Sequence, residues 1–416
     1  VGLPLAMALA RHYPVVGFDK STKRIAELQK GKDVNGEVDR KDFKKKRIIF
    51  SSSEELLEES QIYIITVPTP VNKKREPDLF LLENACRVVG KQIRKKNIIV
   101  IESTVYPGVT EKICGPILEK VSGLVCGKDF FLGYSPERIN PGDKKHKLEK
   151  VTKVISGQNS FVSKKLKTIY GKIVSGKIFL AKDIKTAEAA KVIENAQRDI
   201  NISFINEITK IFSRLNISVY DVLETAKTKW NFLDFKPGLV GGHCIGVDPF
   251  YLAYIAKQKK FHPEVILAGR KINDTMGFFF ADNIYIKARN ILNKKKLRIL
   301  ILGFTFKENI KDLRNTRVID IVRRLKKLGN QVEVHDYMAD PSIAYRDYHI
   351  RIKDGPLNHR IAKKFDCVIG AVEHDLYKKI TWKRLSVILK RNSVIFDLKG
   401  MWKSLKIPRK IQKITL

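Results

Sequence analysis

From Ile184 to Leu215 the chain keeps a helical apolar periodicity without one glycine or proline, so this stretch has to run as a single long helix. Before it, short β-rich runs alternate with amphipathic segments, the signature of parallel βαβ units. Strands are expected over 14–19, 62–67, 97–102, 130–134, 151–156 and 177–180, with helices over 21–29, 79–93 and 109–121. Beyond the long helix the helical pattern continues to about Ala288, and then the alternation resumes. Strands are expected over 297–302, 331–335, 366–372 and 393–397, and a helix over 318–328. The expected fold is α/β: two Rossmann-like doubly wound lobes joined by the long helix and a helical middle domain. The expected boundaries are 1–180, 181–288 and 289–416, and a crevice between the lobes is the natural place for a two-ligand site.

A chain of 416 residues, 44% of them apolar, has the material for two or three cores. Its five cysteines are scattered and form no C-x-x-C pair, which argues against a disulfide framework and a zinc site, and for a reducing compartment. No apolar run approaches the roughly 20 residues that span a bilayer, and the start lacks the pattern of a signal peptide. The expectation is a cytoplasmic protein with no metal and no membrane segment. Lys and Arg (80) exceed Asp and Glu (44) by 36, which raises a nucleic-acid hypothesis. The basic residues, however, lie in short clusters such as 44–47, 144–147 and 294–298, without interleaved aromatics. Clusters of that kind read as solvated faces, and a nucleic-acid partner is not expected.

Chemistry is concentrated in Val240-Gly241-Gly242-His243-Cys244-Ile245-Gly246-Val247-Asp248-Pro249. The glycines let the backbone take positive φ or approach a ligand closely, and Asp248 follows the thiol by four residues. A lone cysteine in a tight loop is as readily a small buried hydrophobe. Three further segments sit where strands give way to loops, the edge at which open α/β sheets bind ligands: Thr66 to Pro70, Glu102-Ser103-Thr104, and Tyr134-Ser135-Pro136-Glu137-Arg138. Each alone is ordinary turn chemistry; their recurrence at successive strand ends is not. On the long helix Lys191, Asn195 and Asp199 share a face at i, i+4, i+8. That face is either an exposed polar stripe or, if turned to a crevice, an ammonium and an amide able to stabilise an oxyanion. Asp19 closes the first expected strand after a helix opened by Gly2, the arrangement that holds the ribose and pyrophosphate of a dinucleotide. The chain starts at what would be the third glycine of that fingerprint. The absent first strand and two glycines are expected to weaken the pyrophosphate cradle, and they point to a truncated sequence rather than a functional short form.

Together, Gly2, Asp19, Thr66 to Pro70, Ser103-Thr104, the Tyr134 to Gly142 motif, Lys191 with the Glu194 to Asp199 run, and Gly241 to Pro249 resemble the nucleotide-sugar 6-dehydrogenase family over nearly the whole chain. They look most like its UDP-N-acetylhexosamine branch. The resemblance implies two successive oxidations of a sugar C6 alcohol to a carboxylate by NAD⁺, with Cys244 carrying the sugar as a thiohemiacetal and then a thioester. It implies that Lys191 and Asn195 stabilise the oxyanions, that Thr104 and Asp248 position water and polar groups, and that Glu137 helps hydrolyse the thioester. Lys191 would favour the Cys244 thiolate and Asp248 would oppose it; sequence leaves that balance open. The family requires no histidine at His243. Gly2, Asp19, Arg24, Thr69, Thr104 and Arg314 match cofactor positions. Glu137, Arg138, Lys191, Asn195, Phe235, Gly238, Gly241 and Lys307 match substrate positions. The implied substrate is UDP-N-acetylglucosamine, for a surface polysaccharide, with the galactosamine, mannosamine and glucose analogues as rivals and a homodimer as the assembly. An inactive or nucleic-acid-binding protein is the rival of another class, separable by salt-dependent DNA binding without NADH formation.

Overall fold

The computed structural model describes residues 2–34, 36–43, 47–138, 149–355, 357 and 364–415. The Ile139 to Gly142 end of the third strand-end motif, the basic cluster 144–147 and most of the cluster 44–47 lie outside the described residues. In chain order the first elements are α1 (Gly2–Leu9), β1 (Val15–Phe18), α2 (Thr22–Gln29), β2 (Ile48–Ser51), β3 (Ile62–Ile65), α3 (Phe80–Gly90) and β4 (Ile98–Ile101). Next come α4 (Gly115–Ser122), β5 (Phe131–Tyr134), β6 (Lys153–Gly157), α5 (Ser160–Gly171) and β7 (Ile178–Leu180). Four helices follow: α6 (Ile184–Leu215), α7 (Val219–Ala226), α8 (Asp248–Gln258) and α9 (Glu264–Leu292). Then come β8 (Arg298–Leu302), α10 (Val318–Lys327), β9 (Gln331–His335), α11 (Pro341–Tyr348), β10 (Ile352–Lys353) and β11 (Phe365–Gly370). The last are α12 (Asp375–Lys378), α13 (Trp382–Ile388), β12 (Leu389–Asp397) and β13 (Gln412–Thr415). Two compact units result, one of Val1–Glu194 with Phe250–His262, the other of Asn195–Pro249 with Pro263–Leu416.

In the N-terminal unit a five-stranded sheet runs in the order β3-β4-β5-β6-β7, and β1 pairs with β2 in a separate parallel sheet. β4 is Ile-Ile-Val-Ile, buried at every position, as a β-branched run must be when both faces of a parallel strand are covered. Sidedness at the helix starts comes from caps: the Ser21 hydroxyl accepts the Arg24 N–H at 3.2 Å, and the Asn159 amide accepts the Val162 N–H at 3.0 Å. Two details depart from an all-parallel expectation. β6 runs antiparallel to β5. The helix expected over 109–121 opens instead with a π turn at Thr110–Cys114 before α4. Pro116 has no N–H to return to the Lys112 carbonyl, so a regular α ladder cannot run through this point.

The C-terminal unit holds six parallel strands in the order β10-β9-β8-β11-β12-β13. Counted from β8, this is 3-2-1-4-5-6, with the strand order reversing between β8 and β11. Both faces are packed: Ile299, Ile301 and Val334 lie in one apolar cluster with α9 and α10, and Leu300, Leu302 and Val368 in another with Tyr377, Leu385 and Trp402. At the reversal the chain is tight. Gly303 has φ +94°, and a Cβ there would stand 2.5 Å from that of Val372.

Candidate active site

Two of the strand-end motifs of the N-terminal unit are bonded to each other. The Ser103 hydroxyl donates to the Val67 carbonyl at 2.7 Å, and the Thr69 hydroxyl donates to the Thr104 carbonyl at 2.6 Å. The Tyr251 hydroxyl in α8 donates to the Thr69 carbonyl from the other side. Beneath them Glu102 is fully buried between the Lys153 ammonium at 3.0 Å and the Tyr170 hydroxyl at 2.5 Å. Burial pushes the Glu102 carboxyl up, opposed by Lys153 and reinforced by the charge of Glu137. Glu137 is itself buried, and Arg138 reaches the Glu194 carboxylate and the Thr152 carbonyl. α6 joins this group through Glu188, which accepts the Gly108 and Thr110 N–H groups at 2.5 and 2.9 Å. Lys191 follows Glu188 by three residues and is 8% exposed, so the polar face read from the sequence is not a solvent stripe.

The same unit fits a dinucleotide. A Cβ on Gly2 would lie 2.5 Å from the Thr66 hydroxyl oxygen, so the start of α1 is bare backbone, the surface a pyrophosphate needs. Asp19 follows β1 with an exposed carboxylate that accepts the Ser21 N–H at 2.8 Å, placed for ribose hydroxyls. Asp33, itself enclosed, holds the Arg24 guanidinium at 2.6 Å, which fixes the place of that charge in the unit.

In the C-terminal unit the Cys244 carbonyl accepts the N–H groups of Val247 at 3.0 Å and Asp248 at 2.9 Å, closing the turn from which α8 starts. The cysteine side chain is half-buried. Asp248 is 3% exposed, and the Asn195 amide donates to its carboxylate at 2.5 Å. Gly242 has φ +78°, and a Cβ there would lie 2.7 Å from the Phe306 ring; one on Gly241 would lie 2.8 Å from the Asn315 carbonyl. The turn is stitched to the Arg314 segment by two bonds. The Gly242 N–H donates to the Arg314 carbonyl at 3.2 Å, and the Asn315 amide donates to the Gly242 carbonyl at 3.0 Å. Arg314 forks onto Asp312 at 2.6 Å, and these bonds hold the Asp312 carboxyl below its ordinary range although burial pushes the other way. Asp199 plays another part. It is tied to Arg270 at 2.6 Å and to Asn273 at 2.7 Å as a buried structural anchor, and burial raises it.

A pocket opens at the strand-order reversal, lined among others by Gly238, Gly241, Thr305, Lys307, Glu373 and Lys399. The Asn206 side chain grips both backbone groups of Gly238, each at 2.9 Å, and the Phe235 ring packs into the cluster of Ile205, Val219, Tyr220 and Leu223. Lys399, two residues past β12, was not singled out in the sequence, although the rule that ligands gather at carboxyl ends of strands points to it. Asn206, Lys153 and Tyr170 left no such signal, since their partners are far away in the chain, and Glu102 was marked only by its place at a strand end.

Two α/β units, one with a dinucleotide cradle and one with a thiol turn beside a nucleotide-type pocket, are the parts of a nucleotide-dependent oxidoreductase. The comparisons give the family. Residues 1–174 match the NAD binding domain of the UDP-glucose/GDP-mannose dehydrogenase family, residues 185–275 its central domain and residues 300–404 its UDP binding domain. The chain is 46% identical over 402 residues to the UDP-N-acetyl-D-glucosamine 6-dehydrogenase of Salmonella typhi, covering 96% of this chain and 93% of that one. The enzyme of the same name from Pseudomonas aeruginosa is 44% identical (96% and 94% covered), and the protein CapL of Staphylococcus aureus 47% (96% and 94%). The UDP-D-ManNAc dehydrogenase of Pyrococcus horikoshii shares the fold with a TM-score of 0.88 at 28% identity, covering 100% of this chain and 96% of that one. The protein belongs to the UDP-glucose/GDP-mannose dehydrogenase family and is an NAD-dependent dehydrogenase with a UDP-sugar substrate. No described helix is long and apolar enough to cross a membrane, and no metal-holding cluster occurs among the described residues.

Proposed function

We propose that this enzyme oxidises C6 of UDP-N-acetylglucosamine from alcohol to carboxylate, with Cys244 as the covalent carrier. The observation that carries the reading is the thiol turn: a half-buried cysteine whose carbonyl starts the helix of Asp248, whose carboxylate in turn is held by Asn195. The substrate is supported by the two relatives of that name at 44–46% identity, against about 30% for those named UDP-N-acetyl-D-mannosamine dehydrogenase.

NAD⁺ supplies the hydride acceptor, once for each oxidation. The first oxidation sends the hydroxyl proton to solvent; the Cys244 thiol then loses its proton to solvent and its sulfur bonds to the aldehyde carbon, leaving an oxyanion on the former carbonyl oxygen. Loss of hydride from that carbon leaves a thioester; water adds, the C–S bond breaks, and the carboxylate and free thiol are released. Lys191 and the Asn195 amide donate to the oxyanion at each tetrahedral stage. Glu137 takes the proton of the attacking water, which Thr104 and Asp248 orient. Gly2, Asp19, Arg24, Thr69, Thr104 and Arg314 bind the cofactor. Glu137, Arg138, Lys191, Asn195, Lys307 and the backbone of Phe235, Gly238 and Gly241 bind the sugar nucleotide.

We divide the chain functionally at 1–180, 181–288 and 289–416, a division supported by the three family segments. A homodimer through the helical middle is supported by Ile193, Phe204, Ile211 and Leu215, exposed apolar residues recurring along α6. The product would feed a surface polysaccharide from the cytoplasm, in keeping with the relative named CapL. The test offers NAD⁺ with UDP-N-acetylglucosamine, its galactosamine and mannosamine isomers, or UDP-glucose, and counts NADH per sugar. Two NADH per sugar, fastest with UDP-N-acetylglucosamine, is the expected result; turnover of another sugar alone would reassign the substrate, and one NADH per sugar would remove the second oxidation.

A further inference from the structure

Lys307 is carried by the short loop that follows β8, and beneath that loop lies a buried polar cluster with no role in the chemistry above. One carboxylate oxygen of Asp336 accepts the N–H groups of Phe304 at 2.6 Å and Thr305 at 3.0 Å; the other accepts those of Met338 at 2.8 Å and Ala339 at 3.2 Å. His374 stands between this carboxylate and the far end of the loop. Its Nε2 is 3.2 Å from Asp336 and 3.1 Å from the Thr305 hydroxyl, and its Nδ1 accepts the Asn309 N–H at 2.8 Å. Both side chains are completely enclosed.

The bonding assigns the tautomer. A backbone N–H can only donate, so Nδ1 presents its lone pair and the proton sits on Nε2, facing the carboxylate and the hydroxyl. The Thr305 hydroxyl passes the constraint on by donating to the Lys307 carbonyl at 2.9 Å. At the other end Asn309 holds a left-handed φ of +58°, and its side chain accepts the Asp375 N–H at 3.0 Å. The loop is thus gripped at residues 304, 305, 307 and 309, while its free side lines the pocket with Phe306, Lys307 and Glu308.

We propose that His374 is a positioning residue for the UDP-sugar: through Asn309 and Thr305 it braces the loop that presents Lys307 to the ligand. It touches no reacting atom. The inference rests on the reading that the nucleotide sugar occupies this pocket, and the test separates the two. UDP and NAD⁺ binding are measured by calorimetry, and steady-state rates are taken with UDP-N-acetylglucosamine, for wild type, His374→Phe, His374→Asn and Thr305→Val. The phenylalanine removes both ring bonds. The asparagine keeps an acceptor near the Nδ1 position, and the valine removes only the hydroxyl relay without loading the core.

His374→Phe should weaken UDP and raise the sugar KM roughly tenfold or more, with NAD⁺ affinity unchanged, as expected for losing one or two well-formed hydrogen bonds. His374→Asn should recover most of the loss, and Thr305→Val should show a smaller loss of the same kind. Unchanged UDP binding in His374→Phe would overturn the brace, as would equal losses for UDP and NAD⁺, which mark general destabilisation. If His374→Phe does not fold, His374→Asn and Thr305→Val decide: wild-type UDP affinity in Thr305→Val refutes the relay. A wild-type protein that ignores UDP while still binding NAD⁺ would instead overturn the assignment of the pocket.

Discussion

Serine has the same branching as cysteine and carries a hydroxyl in place of the thiol, so Cys244→Ser tests the chemistry of the sulfur with only a small change in packing. Cys244→Ser is expected to lower uronate formation by about 10³-fold or more, while UDP-sugar binding survives. Acid formation at the wild-type rate would take the covalent role away from this residue. Lys191→Ala should cut kcat by roughly 10²-fold with the NAD⁺ KM within about twofold, because its ammonium is assigned to the oxyanion. A change confined to the NAD⁺ KM would move Lys191 to the cofactor site. At this scale the sequence was informative wherever a residue's backbone geometry or chemistry is special. Gly242 has the positive φ that its place in the turn suggested, and Asn195 bonds the aspartate that follows the thiol. Asp199, one turn beyond Asn195, shares the helical face yet bonds Arg270 and Asn273. Spacing fixes a face, but the partner on that face comes from a helix some 70 residues away in the chain.

Elements hold these residues by a few buried polar anchors, and those anchors can be titrated or cut. Burial alone would raise the Asp336 carboxyl, but its bonds from His374 and from the Phe304 and Thr305 N–H groups carry it down to about 2. A folded value below the ordinary 3.8 means that the group stabilises the fold fully above that value, and that the contribution fades as pH falls toward about 2. The linked free energy is about 2 kcal/mol. Asp336→Asn should therefore lower stability at neutral pH and flatten its decline between about pH 4 and pH 2, as read by chemical denaturation across that range. An unchanged acid slope would dismiss the linkage. Asn206→Ala should cost about 1–3 kcal/mol, because both backbone groups of Gly238 lose buried partners. Denaturant midpoints measure this directly.

Most elements were legible because strands buried on both faces and long amphipathic helices repeat with clear periods; α6 has the bounds its pattern demands. β2, β10 and β13 were not legible. They are edge or near-edge strands of two to four residues, too short for alternation to register. The π turn before α4 is likewise invisible to a period of 3.6, although Pro116 marks where that period must fail.

For the whole molecule the charge of +36 is spread in short basic clusters without interleaved aromatics, the pattern of a solvated face. The proposed dimer offers a sharper test. Replacing Phe204 and Ile211 together by glutamate should convert the wild-type dimer to monomer in light scattering, because two charges would be buried unpaired in an apolar seam. A wild-type monomer, or a dimer unaffected by the change, would place the assembly elsewhere.

The way the chain is shared between its units also has a consequence for its synthesis. Phe250–His262 completes the N-terminal unit, yet it leaves the ribosome only after Asn195–Pro249, which belongs to the other. The Tyr251 hydroxyl lies 182 residues downstream of the Thr69 carbonyl it binds. At ordinary elongation rates that separation is roughly 10 to 35 s. For that interval the nascent unit holds its Thr69 loop without the tyrosine that anchors it, and the aromatic cluster of Tyr106 with Tyr251 and Tyr254 is still incomplete. A chaperone that binds exposed apolar surface would find a window of that length on the nascent N-terminal unit.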